Sequence, residues 1–340
     1  VGLIASQFRV SANASDITAA VASRLISLRL TDDTGYQSDL LEIVLADNDP
    51  ANPIQIPPKG AELEVWLGYD GDLSRMGLFV CDEIELAGWP GTMTIRGRAA
   101  VYDKTPKGKT DLQTQKVREW PDKTKLGDMV SKIAKEHGME PAVSKSLQSV
   151  VLPHLSQTEE SDVSFLVRVT KQYDAVVKPS GGKLVVAKRG EGTSTSGDEL
   201  PAVTLDASQC TSFRMTQATR EAPGTVVAYW HNKKSAKRIE VKVGSGDPVK
   251  RLRHYYPTQD AAQAAAQGDL DKRTRKQATL SVSMPGNPQL MAEGKLTLTG
   301  FRDGVDGEWL VRSVEHELTE GGYSCHVEGE KPKGEGGAAE

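Results

Sequence analysis

59-KGAELEVWLGYDGDLSRMGLFVCDEIEL-86 places Leu63, Val65 and Leu67 at every second position, then breaks into Gly-Tyr-Asp-Gly-Asp. Successive side chains of a strand point to opposite faces, so this alternation predicts a strand with one buried face, then a turn. Gly77-Leu78-Phe79 opens a second strand. Late in the chain, 293-EGKLTLTGFRDGVDGEWLVRSVEHEL-318 runs the same course. Gly300-Phe301 answers to Gly68-Tyr69, Gly307-Glu308-Trp309 to Gly77-Leu78-Phe79, and Val314-Glu315 to Ile84-Glu85. The first strands of the two segments match only with a one-residue offset, which would reverse their facing.

Outward from the first segment the β pattern continues. Ile26, Leu28 and Leu30 alternate, as do Leu41, Ile43 and Leu45, then Met93 and Ile95. Turn residues separate them: DDTG at 32–35, DNDPANP at 47–53, PPKG at 57–60 and WPG at 89–91. Short strands at such spacing suit a small barrel or sandwich. After Lys104 the periodicity is lost until 126-LGDMVSKIAKEHG-138, where Leu126, Met129, Val130, Ile133 and Ala134 share one helical face. Thr124 is the expected N-cap and Gly138 the stop. A second helix follows in 157-QTEESDVSFLVRVTKQYDA-175, then a strand, 183-KLVVAKR-189, and a loop, 190-GEGTSTSGDELP-201. From 203 the β pattern returns with VVAYW at 226–230 and IEVKV at 239–243. An Ala-rich helix entered through Pro257 spans about 258–276.

The expected architecture is therefore mainly β with an α+β insert. Two similar β-barrels, residues 1–104 and 201–330, flank an α+β module at 105–200. The helix 258–276 interrupts the second barrel, and 331–340 is a flexible tail. Two like domains per chain in a three-fold oligomer would present six like units around one axis.

Composition narrows the function. A net charge of −4 over 340 residues lacks the basic excess of a dedicated nucleic-acid binder. No run of 18 apolar residues would cross a membrane, and no basic-then-apolar leader opens the chain. Cys81, Cys210 and Cys325 are too scattered for a disulfide framework and suit reduced thiols, with Cys81 in the core.

Chemistry is sparse. There is no G-x-S-x-G, H-E-x-x-H or G-x-x-x-x-G-K-[ST]. The six histidines form no helical pair, although His316 and His326 could face each other across a hairpin. Residues 231–276 carry twelve Lys or Arg, among them Lys233, Lys234, Lys237 and Arg238, against five acids. That bias suits a solvated face, an acidic partner or a passing nucleic-acid backbone. In 157–175, Phe165, Leu166, Val169 and Tyr173 form a burial face. Ser161 reads as the N-cap and Asp162 lies at the positive end of the helix dipole. Capping leaves Gln157, Glu159 and Glu160 unassigned, and they are expected to hold the insert against a barrel or a neighbouring subunit. No catalytic, cofactor or metal residues are assigned.

Taken in order, FRVSANASDITAAVASRLISLRLTDDTGYQSDLLEIVLAD, PPKGAELEVWLGY, GLFVCDEIEL, QTEESDVSFLVRVTKQYDA and GKLTLTGF…GEWLVRSVEHELTEGGYSCHVE resemble the phage late control gene D family. These are tail hub proteins of contractile phages, related to hubs of contractile bacteriocins of the R-type pyocin kind and to type VI secretion spikes. The resemblance spans roughly residues 5–330. It implies a structural, non-catalytic baseplate hub: a homotrimeric ring adapting a six-fold tail tube to a three-fold spike. Implied partners are the central spike, the tail tube or its initiator, baseplate wedges and the tape-measure protein, with DNA only passing through the lumen. Assembly in the bacterial cytoplasm into a virion or bacteriocin particle follows, with no membrane. With no needle, effector or lysozyme-type segment in view, the spike is expected to be a separate protein. A peptidoglycan-degrading tail component and a non-specific nucleic-acid-binding regulator remain as alternatives.

Overall fold

The computed structural model describes residues 5–34, 39–58, 60–99, 112, 114–180, 182–191, 200–218, 224–232 and 237–332. The first β region holds β1 (Ser6–Ala12), β2 (Ser15–Asp16), the short helix α1 (Thr18–Ala22), β3 (Leu25–Asp33), β4 (Leu40–Ala46), β5 (Glu62–Tyr69), β6 (Asp72–Ala87) and β7 (Thr92–Ala99). The insert holds β8 (Gln115–Trp120), α2 (Leu126–Glu136), β9 (Glu140–Val143), α3 (Lys145–Gln148), β10 (Leu155–Ser161), α4 (Asp162–Thr170), β11 (Ala175–Ser180) and β12 (Lys183–Lys188). The last region comprises β13 (Ala202–Asp206), β14 (Ser212–Gln217), β15 (Thr225–Asn232), β16 (Lys237–Gly244) and β17 (Val249–Tyr256). It continues with α5 (Gln259–Arg275), β18 (Ala278–Pro285), β19 (Lys295–Thr299), β20 (Gly307–Thr319) and β21 (Gly322–Glu330).

One 13-stranded sheet joins the first and last regions. Its first part runs β1-β5-β6-β7-β4-β3, and its second runs β13-β19-β20-β21-β18-β14. Read in chain order, each strand of the first series has its counterpart at the same place in the second. The outermost pair departs from the match, being antiparallel in β1–β5 and parallel in β13–β19. The agreement reaches single residues. Leu63 pairs with Phe79 and Val65 with Gly77, as Leu296 pairs with Trp309 and Leu298 with Gly307. Both glycines take a positive φ, 153° at Gly77 and 111° at Gly307, which other residues rarely adopt. A bulge falls between Cys81 and Glu83 in one unit and between Val311 and Ser313 in the other. A glycine stands beside each bulge, Gly97 opposite Cys81 and Gly329 opposite Val311.

This register removes the one-residue offset seen in the sequence. Buried Leu63 and Val65 correspond to buried Leu296 and Leu298, so facing is kept. The difference in length lies between the arms, and Gly68-Tyr69 and Gly300-Phe301 are not true equivalents. A further repeat emerges on β3 and β14: Ser27-Leu28-Arg29-Leu30-Thr31 answers to Ser212-Phe213-Arg214-Met215-Thr216. Leu28 and Leu30 pair with Ile43 and Leu41, as Phe213 and Met215 pair with Val282 and Leu280.

The apolar faces of both units merge into one cluster running from Val10 to Val327. The two units expected as separate barrels are thus parts of one sheet over a shared core. The insert has its own cluster, from Leu112 to Val186. There Leu126, Met129, Val130, Ile133 and Ala134 of α2 are all fully buried, the face the spacing predicts. Gly138 ends that helix with φ +69°. Its N-cap, however, is Lys125, because the Thr124 hydroxyl donates instead to the Pro121 carbonyl at 2.7 Å.

The expected second barrel needs a larger correction. β15, β16 and β17 form a separate three-stranded sheet. Its apolar face, Val226, Ala228, Val241 and Val243, is covered by Ala262 and Ala266 of α5, making a third core. Alternation in VVAYW and IEVKV announces strands but not the sheet they join. The small alanines let α5 lie close against that sheet. Thr258 caps α5 through its side chain, which accepts from the Ala261 N–H at 3.2 Å.

Candidate functional site: two buried ion-pair networks

The acidic stretch 157–162 lies at the start of α4. Ser161 caps the helix, its hydroxyl accepting from the Ser164 N–H at 3.2 Å. Asp162, fully buried, does more than complement the dipole. Lys116 Nζ donates to its Oδ2 at 2.7 Å, His137 Nε2 lies 2.7 Å from the same oxygen, and Gln157 Nε2 donates to Oδ1 at 2.9 Å. The Arg118 guanidinium contacts Oδ1 as well and donates to Glu136 Oε2 at 2.8 Å. Burial disfavours the charged carboxylate, but the bonds from His137, Lys116 and Gln157 and the Arg118 charge outweigh it. Asp162 is held at about 2.

Glu136, His137 and Asp162 lie close enough together to hold a metal ion. The donor set does not suit one. Both Asp162 oxygens already meet a cation, Lys116 or Arg118, and a divalent ion there would be repelled. The arrangement ties β8, α2 and α4 together around one buried charge.

Gln157 is fully buried, accepts from Arg118 Nε at 2.7 Å and donates to the Glu160 carbonyl at 2.9 Å. It builds the insert from within, so the expectation that it contacts a barrel or another subunit is corrected. Glu160 accepts from Arg168 Nη2 at 2.8 Å, also inside the insert. Glu159 is exposed in a left-handed conformation, φ +48°, at the irregularity between β10 and β8. Lys233 and Lys234 lie outside the described residues. Lys237 opens β16, and Arg238 stacks 3.8 Å over the Tyr229 ring. Part of the basic bias at 231–276 is met locally, since Asp269 accepts from Lys250 at 2.7 Å and Arg273 at 3.0 Å.

The insert is held to the sheet by other residues. Lys178 on β11 reaches across to Asp32 at 2.7 Å and Asp39 at 2.6 Å. Arg189, just after β12, donates to Thr34 Oγ1 at 2.8 Å and Glu330 Oε1 at 3.1 Å, and pairs with Glu293 at 3.4 Å. Arg275, at the end of α5 and 1% exposed, meets Asp174 at 2.5 Å and Glu330 Oε2 at 3.4 Å. Glu330 is thus shared by the insert, α5 and the last strand of the sheet. Sequence spacing could not find these groups, which lie far apart in the chain. Their one local signal is a lone charge beside apolar runs, as in VVKPS.

Beside this junction is a cavity of about 420 Å³ lined in part by Asp32, Asp39, Lys178, Glu293 and His316. Burial, then the Asp32 charge, push Asp39 up to about 7 against the pull of Lys178. Asp32 is also desolvated, but Lys178 and the Ala292 N–H keep it below the usual range. A pair of carboxylates with separated affinities can serve acid–base chemistry. Glycoside-cleaving pairs stand about 5 Å or more apart, with substrate between them. Asp32 and Asp39 instead share one ammonium, that of Lys178, which marks a fastening. His316 and His326 do not face each other: His316 pairs with Cys325 and is buried, whereas His326 pairs with Glu315. Burial pushes His316 down to about 4, and its Nδ1 lies 2.7 Å from the Tyr323 hydroxyl.

This duplicated, mainly antiparallel β scaffold with an α+β insert resembles solved tail proteins in fold. The 43 kDa tail protein of prophage MuSo2 from Shewanella oneidensis superposes with a TM-score of 0.70 at 13% identity, covering 96% of this chain and 98% of that one. The Escherichia coli c3393 protein, a component of the type VI secretion system, has a TM-score of 0.56 at 9% identity, covering 90% of this chain and 73% of that one. Residues 41–322 match the phage tail baseplate hub (GPD) family. A relative described as a probable baseplate hub protein, from Escherichia phage 186, is 31% identical over 96% of this chain and 92% of its own length. The chain belongs to the phage tail baseplate hub family.

Proposed function

We propose that the chain forms a homotrimeric ring joining a six-fold tail tube to a three-fold central spike. The observation that carries this reading is the duplication: two six-stranded units, matched strand for strand, give three chains six like units. The tube or its initiator would meet the six-fold face and a separate spike the three-fold one, with wedge proteins around the rim. The lumen would pass the tape-measure protein and, in a phage, DNA. The work is mechanical, and no step in it needs catalysis. The ion pairs of Lys178, Arg189 and Arg275 keep the insert at a fixed angle to the ring. Sedimentation of the purified chain, alone and with the spike protein of the same particle, tests the reading. A trimer in either sample is expected, and monomer in both overturns it.

A further inference from the structure

The two units meet at one strand pair. β3 lies antiparallel to the second half of β20, from Ser27 opposite Thr319 to Asp33 opposite Ser313. Within the repeat, β20 answers to β6 and β3 to β14. The same two edges therefore exist a second time, and there both are open among the described residues. β14 pairs with β18 alone. Glu83–Ala87 of β6 pairs with β7 on one side, while β5 reaches no further along β6 than Val80. Unpaired strand edges are templates for another chain.

We propose that β14 of one copy of this chain adds to β6 of the next, in the register of β3 on β20. Met215 then lies opposite Leu86, Thr216 opposite Glu85, and Arg214 opposite Ala87. Side-chain exposure supports the pairing. Leu28 is fully buried under the junction, but its counterpart Phe213 is 47% exposed. His316 is 1% exposed, but its counterpart Leu86 is 55% exposed. Charge supports it as well. At the internal junction Arg29 reaches Glu317 at 2.7 Å and Glu315 at 3.3 Å. Arg214 stands in the place of Arg29, and Glu85 in the place of Glu315. Each copy offers one β14 and one β6 edge, so the contact is head-to-tail and makes a ring when its rotation closes. The number of copies, three, rests on the hub reading above; the strand pairing does not.

The test is a cysteine pair in the full chain, E85C with T216C, oxidised mildly and run without reductant. A control pair, E85C with M215C, has side chains on opposite faces of the sheet. Oxidised wild type accounts for the native thiols. A reducible covalent trimer from the first pair, absent from the control and the wild type, is expected. A wild type that sediments as a trimer while the first pair stays uncoupled overturns the strand pairing and leaves the ring. Monomers throughout, with no coupling, overturn both. R214E, which needs no disulfide, weakens self-association about tenfold by setting two acids against each other. Unchanged association of R214E overturns the assigned register.

Discussion

Leu28 and Phe213 occupy the same place in two units of the same plan, yet one is fully buried and the other is half exposed. The difference lies outside the units themselves. β3 is covered by β20 of its own chain, whereas β14 has no neighbour on its outer edge among the described residues. Two copies of one structural idea thus differ in what completes them: one edge is closed by folding, and the other, under the strand pairing proposed above, by assembly. The insert draws the same contrast in charge. Asp162 is paired wholly within the insert, while Arg189 and Arg275 meet Glu330 only when separate parts of the chain come together.

The largest effect expected from this contrast is at the meeting point. Arg275→Ala leaves Asp174 and Glu330 without their shared cation and costs about 3–5 kcal/mol in denaturant unfolding. Arg275→Met costs less, because it restores the apolar volume. Leu28→Ala costs about 2–5 kcal/mol, whereas Phe213→Ala costs under about 1 kcal/mol in the monomer. Equal losses at the two positions would break the comparison. Asp162→Asn costs about 2 kcal/mol at neutral pH. The folded carboxyl is held below its unfolded value of 3.8, so the stabilisation is present above that pH and fades as pH falls towards about 2. Thermal melts across that range read the convergence of variant and wild type. Asp39 works the other way. Its folded affinity is raised to about 7, so its contribution is whole below 3.8 and is lost as pH rises through about 7. Asp39→Asn therefore gains on the wild type between pH 5 and pH 8, by about 1 kcal/mol once the weakened bond to Lys178 is counted.

Much of the fold could be read from period alone. The α2 face, the Ser161 cap, the Ala-rich helix from about 258 and the paired hairpins at 62–87 and 295–319 all stand where spacing put them. These are local features, set by residues within a few positions of one another. What escaped was non-local. Nothing in VVAYW or IEVKV says that these strands leave the main sheet for one of their own. Nothing in KPS or AKRG says that Lys178 and Arg189 will meet Asp32 and Glu330. Gln157 reads as an unassigned polar residue, and its partner Arg118 lies in β8, where the sequence shows no periodicity. The SLRLT and SFRMT repeat is five residues long and stands out only once β3 and β14 are seen to hold equivalent places in the sheet.

The β3–β20 junction also sets a timetable. Arg29 and Glu317, which bond across it, are 288 positions apart. A ribosome adding about 5–20 residues per second leaves the β3 edge uncovered for roughly 15–60 s after it emerges. Through that interval the newborn chain carries an open edge like the one that β14 keeps among the described residues. An arginine stands on each of these edge strands, Arg29 on β3 and Arg214 on β14, so two like edges meeting in that interval would bring like charges together.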